Sequence, residues 1–184
     1  MAILKVAHLG NPILRIKAEP VPPELINTDE TQFLIDSMID TMREYNGAGL
    51  AGPQVHEPVQ IIVVEAEGNP RYKNSPSVPL TVVINPKITS FSTEMEEGWE
   101  GCLSLPDLWG MVRRARSIVV AGLDRRGEPM EIHAEGFFAK ALQHEIDHLH
   151  GKVFIDRMSD FKTLSFGKEY ARYGHLHDEE GEEL

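Results

Sequence analysis

His144-Glu145-Ile146-Asp147-His148 is the stretch whose residue types and spacing point most directly to chemistry. On a helix, positions i and i+4 share a face, so both imidazoles can hold one divalent metal ion. Glu145, one residue along, is close enough to move the protons of a water at that ion. Phe137, Ala141, His144, Glu145 and His148 follow one helical stripe, and it mixes apolar and ligand residues as a buried active-site helix does. The competing expectation is a helix with two surface histidines and ordinary charges. His150 points to another face and is expected at the surface.

Two histidines leave a catalytic zinc-type site one protein ligand short. A third His, in the extended pattern that continues past Gly151, fails because the required position holds Phe154. Glu169, 21 residues beyond His148, is a workable carboxylate ligand and would make the chain a zinc endopeptidase. Cys102, the only thiol, offers a thiolate suited to zinc or ferrous iron. It can also be read as a small buried hydrophobe. In Glu100-Gly101-Cys102-Leu103-Ser104-Leu105-Pro106 the backbone can approach a ligand closely, and N–H groups beside Cys102 could face a developing oxyanion. Gly47 to Gln54 is glycine-rich but lacks the Gly-Lys-Ser/Thr ending of a phosphate loop. It is either a plain helix-to-strand connection or a segment whose Gln54 gives a side-chain N–H to an oxyanion.

The elements that must position these residues are an early helix, several strands and a late helix. Residues 31–45 read as a helix with Phe33, Leu34, Met38, Met42 and Tyr45 on one apolar face. Asn46-Gly47-Ala48-Gly49 ends it. Strands are expected over 59–64, over 80–84 and 87–91 with a break at Asn85-Pro86, and over 111–123. Arg125-Arg126-Gly127 then turns the chain into a strand over 130–134. The stretches 20–23 and 67–79, rich in proline and glycine, read as loops. Helix is expected from Gly136 to about His150, with Gly151 as its stop, and a short one over 160–173. This order argues for an α+β fold rather than alternating βαβ units.

The 184 residues fit one compact domain, taken as 1–174, with an acidic and disordered tail over 175–184. Net charge is −11; five of the negative charges fall between Asp178 and Glu183, which leaves −6 for the rest. No basic stripe suits nucleic acid. No apolar run is long enough to span a bilayer, and the first residues resemble neither a signal nor a transit peptide. A single cysteine permits no disulfide within the chain and fits a reducing compartment.

Gly47 to Gln54, Glu100 to Ser104 and Gln143 to Gly151, in this order, resemble the three motifs of the peptide deformylases. Gly10-Asn11-Pro12-Ile13-Leu14-Arg15 is similar to that family's start, so the resemblance spans most of the chain. It departs at Gly52, where the family usually has Ala, and at Ala48, smaller than the usual Ile or Val. Both changes are expected to bear on the shape of the substrate pocket. The resemblance implies Cys102, not Glu169, as third metal ligand beside His144 and His148. It implies antiparallel β-sheets packed around a central helix that carries the His pair. The implied reaction removes the N-terminal formyl group from new polypeptides that begin with formyl-methionine. The implied ion is Fe(II), replaceable by Zn(II) or Ni(II). Glu145 then serves as general base and acid, Gln54 and the Leu103 N–H hold the oxyanion, and Gly49 gives backbone contacts to substrate. Phe137 and Ala141, on the ligand face, are expected to line the pocket for the Met side chain. Glu100 and Arg114 either pair near the site or are two solvated charges; Asp147 either orients a ligand or faces solvent. The expected partners are formyl-methionyl nascent peptides, with transient ribosome contact, in the cytoplasm and without membrane or nucleic-acid binding. A non-catalytic metal-stabilised binding protein would need a fourth protein ligand to close the site, and no fourth soft ligand is evident near the three.

Overall fold

The computed structural model describes residues 2–67 and 77–174. The acidic tail and most of the loop expected over 67–79 lie outside these residues. After a one-turn helix α1 (Pro23–Ile26), helix α2 runs Asp29–Glu44. It starts two residues earlier than the apolar pattern suggests, because Thr28 caps it by accepting a hydrogen bond from the Thr31 N–H. Its buried stripe is Ile35, Met38, Ile39 and Met42. At 100° per residue Phe33 lies on the opposite side, and both Phe33 and Tyr45 are exposed, contrary to expectation.

Among the described residues eight strands form two sheets in which every pairing is antiparallel. The five-stranded sheet has the order β1 (Gly49–Ala51), β2 (Ile61–Val64), β3 (Thr81–Phe91), β6 (Ser117–Leu123), β7 (Pro129–Glu135). The three-stranded sheet has the order β4 (Met95–Cys102), β5 (Leu105–Ala115), β8 (Ser165–Phe166). Helix α3 (Gly136–Leu149) lies between the sheets, against β1, β2, β6 and β7 on one side and β5 on the other. This is the α+β architecture expected from the sequence.

Strand β2 is buried at all four residues because a helix covers each of its faces. Ile61 and Val63 pack with Ile35, Met38 and Met42 of α2, while Ile62 and Val64 pack with Leu142 and Ile146 of α3. The period-two alternation of a strand serves two cores here. A third cluster, with Cys102, Leu105, Val112 and Phe154, closes the far side of α3.

The strand and late-helix expectations also need correction. Asn85-Pro86 does not break β3. It forms an irregularity where the register to β6 shifts between Ile84 and Lys87, and Asn85, at φ 53°, exchanges two side-chain hydrogen bonds with the Val21 backbone. The strand expected over 111–123 is two strands, β5 and β6, which separate at Arg116 and enter different sheets. Strand β4 was not anticipated, since Glu96, Glu97 and Gly98 hide its pattern. The helix expected over 160–173 is a 3-10 turn (Phe161–Thr163), then β8, then helix α4 (Gly167–Tyr173). Pairing of Ser165 with Trp109 and of Phe166 with Leu108 makes that segment a sheet edge first. Among the described residues no helix is long and apolar enough to cross a membrane.

Candidate active site

Two elements, β4 and α3, bring Cys102, His144 and His148 together. Cys102 ends β4, and the two histidines share the face of α3 that turns toward it. All three are buried, and one ligand atom from each lies within 4.8 Å of the others. Cys102 Sγ is 3.3 Å from His148 Nε2. Tetrahedral coordination with metal–ligand bonds of about 2.0–2.3 Å puts ligand atoms roughly 3.5 Å apart, so the donor set fits a divalent ion. Burial works to raise the Cys102 thiol, yet the imidazoles of His148 and His144 hold it well below its ordinary value, which favours the ligating thiolate.

His144 Nδ1 lies 2.8 Å from Glu100 Oε2, which turns its Nε2 toward the cluster. Glu100 in turn accepts two hydrogen bonds from Arg114, at 2.8 and 3.0 Å. Arg114 also donates to Asp147, as does Arg157. Burial alone would raise Glu100; the hydrogen bonds from His144 and Arg114 overcome it and hold the carboxyl down at about 2. Glu100 and Arg114 are thus a buried pair rather than solvated charges, and Asp147 does not face solvent. The link from Glu100 to His144 escaped the sequence because it depends on β4 meeting α3, and the part played by Arg157 because it depends on the turn that follows α3. His148 Nδ1 is buried with no hydrogen-bond partner among the described residues.

Glu145 faces a cleft that also takes in Gly49, Gln54, Cys102, Leu103, Phe137, Ala141 and His144. The catalytic and substrate-contacting residues expected from the sequence therefore share one cavity, with His148 just beneath it. Burial pushes the Glu145 carboxyl up to about 7, against the pull of the two imidazoles, and one of its oxygens has no partner among the described residues. The backbone at Gly49 passes so close that a Cβ there would sit 2.3 Å from Glu145 Oε1. Gln54 is held by the Ala51 N–H, which donates to its Oε1 at 2.8 Å, so its amide N–H group faces Ser104 Oγ and Cys102 Sγ at 3.2 and 3.5 Å. Ala48 lines the cleft, as its difference from the family pattern suggests. Gly52 does not: a Cβ there would meet the carbonyl oxygens of Val59 and Glu57 at 2.5 and 2.7 Å, so the glycine serves a close backbone approach instead. Glu169 is exposed on α4, outside the ligand cluster, and His150 is exposed as expected.

Two histidines on a helix between two antiparallel sheets, a cysteine from the end of a facing strand and a buried carboxyl in the same cleft mark the site of a metal-dependent hydrolase. The family model described as polypeptide deformylase matches residues 3–164. "Peptide deformylase 2" of Pseudomonas putida is 44% identical over 164 residues, covering 89% of this chain and 92% of that protein. Two crystal structures of the class I type b peptide deformylase from Acinetobacter baumannii are also similar. The first, bound to K4U, has a TM-score of 0.84 at 42% identity, covering 86% of this chain and 100% of that one. The second, bound to Met-ala-ser, has a TM-score of 0.83 at 43% identity, covering 85% and 99%. The chain belongs to the polypeptide deformylase family. Its reaction is the family's: metal-dependent removal of the formyl group from the N-terminal methionine of newly made polypeptides.

The geometry makes a direct expectation about ligation. Cys102→Ala should lose bound metal, while Glu169→Ala should retain it, as read by metal analysis of the purified variants. Metal content that followed Glu169 would return the endopeptidase reading.

Proposed function

We propose that Cys102, His144 and His148 hold one divalent ion, Fe(II) in the cell with Zn(II) or Ni(II) as substitutes, and that Glu145 carries the protons of formamide hydrolysis. The observation that carries this reading is the convergence of three buried donor atoms and the Glu145 carboxyl on one cleft. The donor chemistry, two imidazoles and a thiolate, suits iron and zinc alike. A divalent ion there supplies Lewis acidity, which polarises the formyl oxygen and makes water nucleophilic near neutral pH. The rest falls to the chain. Glu145, held near neutrality by burial, takes the proton from the attacking water and delivers it to the leaving amine. The Gln54 amide N–H and the Leu103 backbone N–H face the oxyanion, and losing one such donor costs about 2.7–4 kcal/mol of barrier. Gly49 gives its backbone to the peptide, and its missing side chain leaves room for Glu145. Residues 1–174 act as one catalytic domain, in the cytoplasm, on formyl-methionyl chains met in transient contact with the ribosome.

One anaerobic preparation tests the reading: metal analysis together with turnover of formyl-Met-Ala-Ser, the formylated form of the peptide seen on the Acinetobacter enzyme. Iron content with activity that air destroys, through the metal or Cys102, is the expected result, and nickel or cobalt should protect. Activity indifferent to days of air would assign zinc.

Phe137 and Ala141 line the cleft beside His144 and form the pocket for the Met side chain. Ala141→Phe should fill it. Pocket contacts of this size are worth about 1–3 kcal/mol of discrimination, so turnover of formyl-Met peptides should drop more than that of formyl-Ala peptides. Equal losses on both, with metal and circular dichroism unchanged, would place the pocket elsewhere.

A further inference from the structure

The family match ends at residue 164, and the chain continues through β8 into α4. Tyr170 of α4 sits between the chain's two tryptophans. Its ring stacks on Trp109 at 4.6 Å and 12°, and meets Trp99 at 4.7 Å and 50°. Glycines make room for this cluster: a Cβ at Gly101 would lie 3.1 Å from the Trp109 indole, and one at Gly167 would lie 3.4 Å from its Nε1. Trp99 also lines the substrate cleft, and Lys140 donates to its carbonyl at 3.4 Å.

Trp99 is three residues before Cys102 on β4, about 10 Å along an extended strand. That exceeds the reach of a formyl group or its methionine at the Cys102 end, and it matches the second and third residues of an extended peptide at about 3.3–3.6 Å each. We propose that Tyr170 is a positioning residue: by fixing the Trp99 indole, it sets how tightly the enzyme holds the substrate residues that follow formyl-methionine. The segment beyond the family match thereby becomes part of the substrate wall. This rests on the deformylase reading of the cleft.

The test uses the full-length metal-loaded enzyme, with formyl-Met amide and formyl-Met-Ala-Ser as substrates. Losing one aromatic pair is worth about 0.5–1.5 kcal/mol, so Tyr170→Ala should raise KM for the tripeptide about two- to tenfold. KM for the amide and kcat on both should stay at wild-type levels, and Tyr170→Phe should behave as wild type. Both tryptophans touch Tyr170, so their emission reports on this cluster alone. Binding of the product Met-Ala-Ser, followed by that emission, should weaken by the same factor in Tyr170→Ala. Should that variant lose its cooperative melt, Tyr170→Leu keeps the bulk without the ring and carries the same expectation. Product binding needs no turnover: failure of the deformylase reading appears as wild-type enzyme inactive on both substrates, whereas unchanged product affinity in Tyr170→Ala overturns the proposal. Equal losses on both substrates, shared by Tyr170→Phe, would also overturn it.

Discussion

Glu145→Gln should bind metal as the wild type does and lose nearly all turnover on formyl-Met peptides. The amide matches the carboxylate in shape, and Glu145 stands outside the ligand cluster of Cys102, His144 and His148, so the metal centre keeps its donors. The amide cannot accept the proton of the attacking water. It cannot return one to the leaving amine either. A positioned acid–base group is worth about 10²–10⁴ in rate, and one residue that serves both transfers should cost more than a single such factor. Metal analysis and single-turnover kinetics on the same preparation make the measurement. Turnover within tenfold of wild type would remove Glu145 from the mechanism.

Arg114→Ala should be the most destabilising substitution near the site. Arg114 is buried between Glu100 and Asp147, and its loss leaves Glu100 in the interior without its arginine and Asp147 with Arg157 alone. Breaking a buried pair in this way costs about 3–5 kcal/mol. Glu100 also loses the partner that orients it toward His144, so metal affinity should fall by about 10- to 100-fold. In the wild type Glu100 is depressed, so its contribution is present above the unfolded value near 4.5 and disappears as pH falls toward 2. Without the guanidinium, burial is opposed only by His144 at Glu100 and by Arg157 at Asp147, so both carboxyls rise from their wild-type values and less of their stabilising contribution remains at neutral pH. Both trends make the deficit of Arg114→Ala largest at neutral pH and smaller toward acid. Urea unfolding of the metal-free proteins across that range measures it. Arg116→Ala, at an exposed ion pair with Glu94, is the control and should stay within about 0.5 kcal/mol of wild type. A deficit below about 1 kcal/mol at neutral pH would mean that water replaces the guanidinium.

The chemistry was legible in the sequence where it follows helical spacing. The 144–148 pattern brings His144, Glu145 and His148 to one side of a helix by spacing alone, and α3 runs as the pattern requires. Cys102 was legible as a candidate but not as the choice over Glu169 from spacing; the family resemblance was needed, because only the fold carries the end of β4 to α3. The strands were less legible. Strand β4 carries Glu96, Glu97 and Gly98 near its start, and its pairing with β5 makes it a strand despite that composition. The division at Arg116 has no turn residue to mark it, although Val112 and Ile118 on either side are buried in different clusters. Asp147 and Arg157, ten residues apart, gave no local signal of their pairing, which depends on the turn that follows α3.

The double burial of β2 reaches beyond packing. Amide exchange in its four residues requires both helices to separate from it, so these protons should be among the last to exchange. Strand β1, which carries Gly49, is hydrogen-bonded to β2 and leads straight to Gln54, and so inherits that resistance to opening. The facing wall is built on a three-stranded sheet that ends in the two-residue strand β8. The jaw that carries Gly49 and Gln54 should thus open late, and amide protons of β8 in the facing sheet should exchange sooner than those of β2.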